Sequence, residues 1–183
     1  MKTESIKLIE ELLHMTENSS NAVRKFKQLG IDQLNFKKSD AEWSILECIE
    51  HLNLYGDFYL PEIEKQILEN NNKGATVFFS SGLLGNYFAN LMKVENGRIK
   101  KMKSPKDKNP SNSKLTITTI DRFLKQQEML RSLLLQAKNT DLIKTKTAIS
   151  LSKLIRIRLG DTFRFLIYHI ERHIFQAQGI LQP

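Results

Sequence analysis

Three of the four histidines in this chain fall within predicted helices, at positions that suit a shared metal ion. His169 and His173 stand four residues apart in the helix-forming stretch IYHIERHIFQA, so both imidazoles project from one helix face. His51 lies in a second such stretch, EWSILECIEHL. A buried imidazole without a partner is costly, and one ion would satisfy all three rings. Three protein ligands leave coordination positions open, as in catalytic rather than structural centres.

The donor type limits the metal and excludes one familiar enzyme class. Neutral imidazole suits zinc, nickel, iron or copper and discriminates poorly among them. Metalloproteases of the HExxH type need Glu directly after the first histidine, and Ile170 occupies that place. Glu171 lies about 200° around the helix from His169, so it points away from the site. Taken alone, the H-x-x-x-H pair also fits two buried rings with ordinary hydrogen-bond partners.

Residues near His51 have alternative interpretations. Tyr55 follows His51 by four residues and its hydroxyl could reach the pocket, although a core aromatic with a solvated tip is the favoured interpretation. Cys48 could be a soft ligand, but it also occupies the staple position of the helix cap, opposite Trp43. We therefore interpret Trp43 as a staple and not as a substrate platform. His14 has no companion histidine and is assigned no role.

Hydrophobic periodicity predicts four long amphipathic helices that would position these residues. The first covers residues 4–29, with a polar stretch at 18–21 that could break it, and Gly30 is expected to end it. The second starts at a Ser44/Glu47 capping box and ends near residue 70, with Pro61 expected to kink or divide it. The third covers 119–137 and the fourth 159–178, where Gly179 is expected to stop it.

The connections and the inward faces follow from the same pattern. The long connection between the second and third helices is predicted to contain a short helix over residues 83–92, and residues 140–157 are predicted to form a linker of mixed character. These features predict an all-α four-helix bundle in a single domain spanning 1–183. The predicted inward residues are Ile6, Ile9, Leu13, Val23 and Phe26 in the first helix and Ile120, Phe123, Leu130 and Leu134 in the third.

Composition bounds the location and the partners. Cys48 is the only cysteine, the N-terminal sequence lacks the apolar core of a signal peptide, and no apolar run is long enough to cross a bilayer. We expect a cytoplasmic protein without a membrane partner. Of the net charge of +8, residues 93–108 contribute +5, through seven basic and two acidic residues. This basic loop lacks the interleaved aromatics of a single-strand binder, so we interpret it as a solvated connection and do not expect nucleic acid to bind.

Two segments together resemble a known family. WSILECIEHL is similar to the W-S-x-x-E-x-x-x-H-L signature of the DinB-like superfamily, and LGDTFRFLIYHIERHIFQA resembles its second signature, an L-G-D segment leading into H-x-x-R-H-x-x-Q. The resemblance implies an up-down-down-up bundle and a divalent metal (zinc, nickel or iron) held by His51, His169 and His173. Gln176 matches the family's glutamine and could orient the site from outside the ligand set. Arg172 also matches, and a structural ion pair is a sufficient explanation for it.

The resemblance also implies a class of function. Characterised relatives include bacillithiol- and mycothiol-dependent transferases and a thiol-dependent isomerase, and members are often homodimers. We therefore expect a metal-dependent transferase that acts on a small-molecule substrate with a low-molecular-weight thiol. Two alternatives stay open: a metal-dependent hydrolase, weakened by the lack of an evident carboxylate base, and a non-catalytic metal-binding or stress-response module.

Overall fold

The computed structural model describes residues 1–70, 74–100 and 102–181, and for Lys153 the backbone alone. Within these ranges the chain is mostly helical, with two small antiparallel sheets. The helices are α1 (Ser5–Phe26), α2 (Ile31–Asn35), α3 (Ile45–Glu69), α4 (Leu83–Met92), α5 (Thr118–Ala137) and α6 (Leu159–Ile180). The strands are β1 (Lys2–Glu4), β2 (Phe78–Ser80), β3 (Lys146–Ile149) and β4 (Ser152–Arg158).

The four long helices pack around one hydrophobic core. Helix α1 contacts α5 and α6, and α3 contacts the same two helices, so each long helix has two long neighbours. The four inward residues predicted for α5 are all buried. The predicted short helix over 83–92 is confirmed as α4. The up-down-down-up order and the single-domain boundary stay predictions.

The buried face of α1 differs from the prediction at one end. Ile6 is 43% exposed, so its assignment to the core was wrong. The buried stripe includes the small polar residues Thr16, Ser19 and Ser20, and its centre lies about 100° around the helix from Ile6. Apolar periodicity alone misses these positions because a threonine or serine can satisfy its hydroxyl on the helix itself. Thr16 Oγ1, for example, donates to the Leu12 carbonyl at 2.8 Å.

The structure differs from four expectations about helix ends and breaks. Helix α1 is continuous through residues 18–21 and ends at Phe26 in tight turns, and Gly30 caps α2 instead, its N–H donating to Gln33 Oε1 at 3.2 Å. Helix α3 runs through Pro61, so the expected division was wrong, and the alternative expectation of a kink stays a prediction. Because proline has no N–H, the backbone carbonyl of Asp57, four positions earlier, lacks its usual helical partner. Asp57 and Pro61 are both exposed, so water can solvate this carbonyl. Helix α6 continues past Gly179 to Ile180.

The all-α prediction was incomplete, because the supposed linker at 140–157 contains a β-hairpin. Strands β3 and β4 pair antiparallel with Thr147 opposite Ile157. A second small sheet pairs β1 with β2, with Thr3 opposite Phe79. The β-branched residues of the hairpin, which recur at every second position, were the available signal. They are Thr147, Ile149, Ile155 and Ile157.

A buried polar cluster fixes α4 against α6. The carboxylate of Asp161 pairs with Arg164 at 3.0 Å and accepts from the N–H of Gly82 at 2.8 Å. Arg164 also donates to Ser81 Oγ and to Asn86 Oδ1. The L-G-D segment therefore holds the short helix in place beside the fourth long helix. In the part of the chain that the structure describes, no helix is both long and apolar enough to span a bilayer.

Candidate metal centre

The tertiary fold brings His51 of α3 against His169 and His173 of α6. The ring centroid of His51 lies 5.0 Å from that of His169 and 4.5 Å from that of His173. The centroids of His169 and His173 are 4.6 Å apart. One ring nitrogen from each residue lies within 4.8 Å of the other two. All three residues are at most 8% exposed. Two adjacent turns of one helix and one turn of its neighbour thus present three imidazoles to the same point.

Hydrogen bonds fix the orientation of two of the rings. Nδ1 of His51 donates to the backbone carbonyl of Lys108 at 2.6 Å, and Nδ1 of His173 donates to Gln176 Oε1 at 3.0 Å. A neutral imidazole with its proton on Nδ1 has its lone pair on Nε2. Such a bond on the far nitrogen is the usual support of a metal-binding histidine. Gln176 therefore lies where the sequence comparison suggested an orienting residue.

Burial keeps the three imidazoles neutral. It lowers the pKa of His51 to about 4, partly opposed by the hydrogen bond to Lys108. Burial also lowers the pKa of His169 and His173 well below the ordinary histidine value, and the neighbouring rings and Arg172 lower it further. Only the neutral form of imidazole can bind a metal ion. At neutral pH the three imidazoles are therefore in the neutral form that can bind a metal ion.

The spacing of one pair of donor atoms, from His51 and His169, fits a divalent ion. Nε2 of His51 and Nε2 of His169 lie 3.2 Å apart. Two nitrogens each about 2.0–2.1 Å from one tetrahedral ion are roughly 3.3 Å apart. Nδ1 of His169 is buried and has no hydrogen-bond partner among the described residues. One pair of donor nitrogens is therefore at the spacing that a zinc-like ion requires, and the third donor lies within 4.8 Å of both.

The histidines form part of the wall of a cavity of about 980 Å³. Tyr55, 7% exposed, also lines it, and its ring lies 5.0 Å from His51 and 4.5 Å from His169. Burial, with smaller contributions from Tyr59 and Asp107, raises the pKa of Tyr55 to about 12, so its hydroxyl stays protonated. Tyr55 is thus a buried hydroxyl at the edge of the histidine cluster that can donate a hydrogen bond.

The interpretation of Trp43 as a staple alone was wrong. Its ring lies 4.7 Å from that of His51 and 5.7 Å from that of His173, and it lines the cavity. Its indole N–H donates to Ser111 Oγ at 3.0 Å. The capping box itself is confirmed, with Ser44 and Glu47 bonded to each other's backbone N–H. The N-cap residue Ser44 has an extended backbone, so Trp43 lies outside the helix and is free to face the cavity.

Cys48 does not join the histidines. It is fully buried in the hydrophobic core, it is not part of the three-residue cluster, and it does not line the cavity. Burial raises the pKa of the Cys48 thiol, and the negative charge of Glu47 raises it further, so the thiol stays protonated. His14 is exposed on α1, where Asn18 lies 3.1 Å from its ring, and it has no part in the site.

The basic loop is not only a solvated connection, and that interpretation was wrong. Its backbone supplies the Lys108 carbonyl that orients His51, and its side chains Lys100 and Lys103 line the cavity. Lys101, which also belongs to this basic loop, lies outside the described residues. A sequence pattern cannot reveal this role, because the decisive group is a backbone carbonyl that any residue could provide.

Arg172 also differs from the expectation of a structural ion pair. It is 5% exposed, it lines the cavity, and within 1–70, 74–100 and 102–181 no carboxylate pairs with it. Its Nη2 donates to the Lys100 carbonyl. On the same helix, Glu171 is exposed and faces away, as predicted.

The β-hairpin is a part of the site that the sequence prediction missed. Ile149, Ser150 and Ile157 line the cavity. Tyr59 of α3 accepts from the Ser150 N–H at 3.2 Å, and Glu62 accepts from the Ala148 N–H at 2.8 Å. These bonds anchor the hairpin to α3 and make it one wall of the cavity.

Comparisons with known proteins bear on this arrangement. Searches against the curated proteins and against the solved structures found no significant match. A family model, that of the DinB superfamily, matches residues 14–177 of the 183. The match includes both signature segments and all three histidines of the cluster. The chain therefore belongs to the DinB superfamily.

Proposed function

We propose that His51, His169 and His173 bind one divalent transition-metal ion and that the protein is a metal-dependent enzyme acting on a small molecule. The observation that carries the proposal is the convergence of three neutral imidazoles on the wall of a cavity of about 980 Å³. Three ligands leave coordination positions free. Zinc, nickel and iron all suit these donors.

The reaction we propose is the transfer of a low-molecular-weight thiol to an electrophilic carbon. A bound divalent ion supplies Lewis acidity, which favours the thiolate form of a thiol that reaches it. The carbon–sulfur bond forms as the bond from carbon to the leaving group breaks, and the thiol proton passes to solvent. The chain contributes a large cavity, the protonated hydroxyl of Tyr55 beside the histidines, and basic residues at the wall.

The alternatives have less support. A metal-dependent hydrolase needs a carboxylate base near the nucleophile, and Glu42, which is exposed, is the only carboxylate that lines the described part of the cavity. A non-catalytic metal-binding module does not require so large a cavity. Cytoplasmic location and homodimer formation stay predictions.

Metal content tests the first part of the proposal. Elemental analysis of protein purified without an affinity tag should find about one divalent ion per chain, and His51→Ala should lose most of it. His14→Ala is the matched control because His14 is exposed on α1 and is not part of the cluster. Equal metal content in all three proteins would refute the site.

A thiol-dependence assay tests the second part. Metal-loaded protein is incubated with an electrophilic substrate and a panel of small thiols, and consumption of both is followed. Turnover that requires the thiol and is lost in His51→Ala supports the transferase. Hydrolysis of the substrate without any thiol favours the hydrolase, and no turnover with the metal present favours the non-catalytic module.

A further inference from the structure

Arg172 is a buried cation whose guanidinium is only partly satisfied. It lies on α6 next to His173 and is 5% exposed. Nη2 donates to the Lys100 carbonyl, whereas Nη1 is buried and has no hydrogen-bond partner in the described part of the chain. No carboxylate within those residues forms an ion pair with it. A buried arginine normally has an anionic partner, because an uncompensated charge is strongly disfavoured in the interior.

The chemistry of the Arg172 guanidinium limits which partner could accept its remaining hydrogen bonds. Guanidinium stays protonated and presents N–H donors in a planar fork that matches the two oxygens of a carboxylate or a phosphate. The partner that Arg172 lacks among the described residues is therefore an anion with paired oxygens. Since Arg172 lines the cavity, that anion can come from a ligand that occupies it.

The other residues that line the cavity indicate the chemical character of the rest of such a ligand. Three lysines share the cavity wall with Arg172, against the single acidic residue Glu42, so the described lining carries a clear positive excess. The wall also has a large apolar part, to which the β-hairpin, α4 and α6 contribute. Its members include Phe88, Leu91, Ile149, Leu151, Ile157 and Phe165. Charged and apolar surfaces in one cavity match a molecule that has both kinds of group.

We propose that Arg172 receives the anionic group of an amphiphilic organic acid whose apolar part packs against this wall. The inference names the substrate class of the proposed enzyme, and it rests on that function for the ligand being a substrate. The binding itself depends only on Arg172 and the cavity. The anion belongs either to the electrophile or to the thiol, and both share the chemistry that Arg172 recognises.

Calorimetry with simple probes tests the binding. The full chain, metal-loaded and after removal of metal and chelator by dialysis, is titrated with butyrate, hexanoate, octanoate and neutral octanamide. Octanoate should bind at least about tenfold more tightly than octanamide. Each added methylene should raise affinity by up to about fourfold, the effect of its burial. Equal affinity for octanoate and octanamide would overturn the proposal.

Variants assign the effect to Arg172. Arg172→Gln should weaken octanoate binding about 10- to 100-fold in both metal states. Arg172→Lys, which keeps a cation, should bind more tightly than Arg172→Gln. Arg131→Gln is the control, because Arg131 is exposed on α5 and does not line the cavity. If Arg172→Gln folds, with wild-type circular dichroism, and binds octanoate like the wild type, the proposal is wrong.

The outcomes separate the two proposals. Arg172-dependent binding of octanoate by a chain that takes up no metal would refute the metal site and leave the anion site standing. Normal metal content without any octanoate binding would refute the anion site alone. Octanoate binding that needs the metal and is indifferent to Arg172→Gln would show that the carboxylate binds the ion, which also overturns the inference.

Discussion

Nδ1 of His51 donates a 2.6 Å hydrogen bond to the backbone carbonyl of Lys108, and this bond joins the second long helix to the basic loop. The two residues are 57 positions apart in the chain. The bond sets the tautomer of His51, so that Nε2 faces the other histidines. It also places a loop that carries much of the protein's positive charge beside the cavity. The connection between α3 and α5 is thus a structural part of the candidate metal centre.

Gln176→Ala should weaken metal binding without removing any of the three imidazoles. Gln176 accepts the Nδ1 proton of His173, and loss of such a supporting partner typically costs about 10- to 100-fold in affinity. Gln178→Ala is the control on the same helix, since Gln178 is exposed. Competition with a metal indicator measures both. Equal affinities for the two variants would contradict an orienting role for Gln176.

The stability of the metal-free protein should fall in mild acid. Histidine has a pKa of 6.5 in the reference state and about 4 at position 51 in the fold, because burial opposes the charge. Between these values the unfolded chain binds a proton that the folded chain does not, so the free energy of unfolding rises with pH. His51 alone contributes about 3 kcal/mol to the loss between pH 7 and pH 4.

Urea unfolding at a series of pH values checks this dependence. Stability should be greatest above pH 6.5 and decline progressively below it. In His51→Ala the decline should be shallower, while His14→Ala should behave as the wild type. A wild-type curve that is flat across this window would show that the histidines are not buried in the neutral form.

Glu47→Ala should destabilise the protein through the loss of several hydrogen bonds. Glu47 is 4% exposed and accepts from the N–H groups of Ser44 and Asn112, at 2.9 Å each, and it pairs with Lys37 at 3.2 Å. Unpaired buried donors cost about 1–3 kcal/mol. Chemical denaturation measures the change. Glu64→Ala, at an exposed position of the same helix, should stay within about 0.5 kcal/mol of the wild type, and an equal loss there would refute the assignment.

Gly85→Ala should loosen α4 from α6. A Cβ at this position would lie 2.5 Å from the side chain of Asp161, which is fully buried in its ion pair with Arg164. Overpacking of this kind costs about 1–3 kcal/mol.

Gly179→Ala supplies the contrast in thermal unfolding. A Cβ there meets nothing within 4 Å, and it should raise stability by up to about 1 kcal/mol because alanine favours the helix. If both variants unfold at the same temperature, the close packing at Gly85 is not limiting.

The sequence alone determined most of the helices and the identity of the clustered histidines. Apolar periodicity located the four long helices and α4, and the capping box located the start of α3, since these are local properties of consecutive residues. The i, i+4 spacing placed His169 and His173 on one face for the same reason, and the signature segments added His51. That the three bind a metal ion stays a prediction.

The tertiary structure decided what depends on residues far apart in the chain. It placed Trp43 and Arg172 at the cavity, turned residues 146–158 into a wall, and brought the Lys108 carbonyl to His51. Backbone carbonyls have no sequence signature, and a short hairpin gains its stability from the helices it packs against. The arrangement of the candidate site therefore became visible only once the long connections were folded over the bundle.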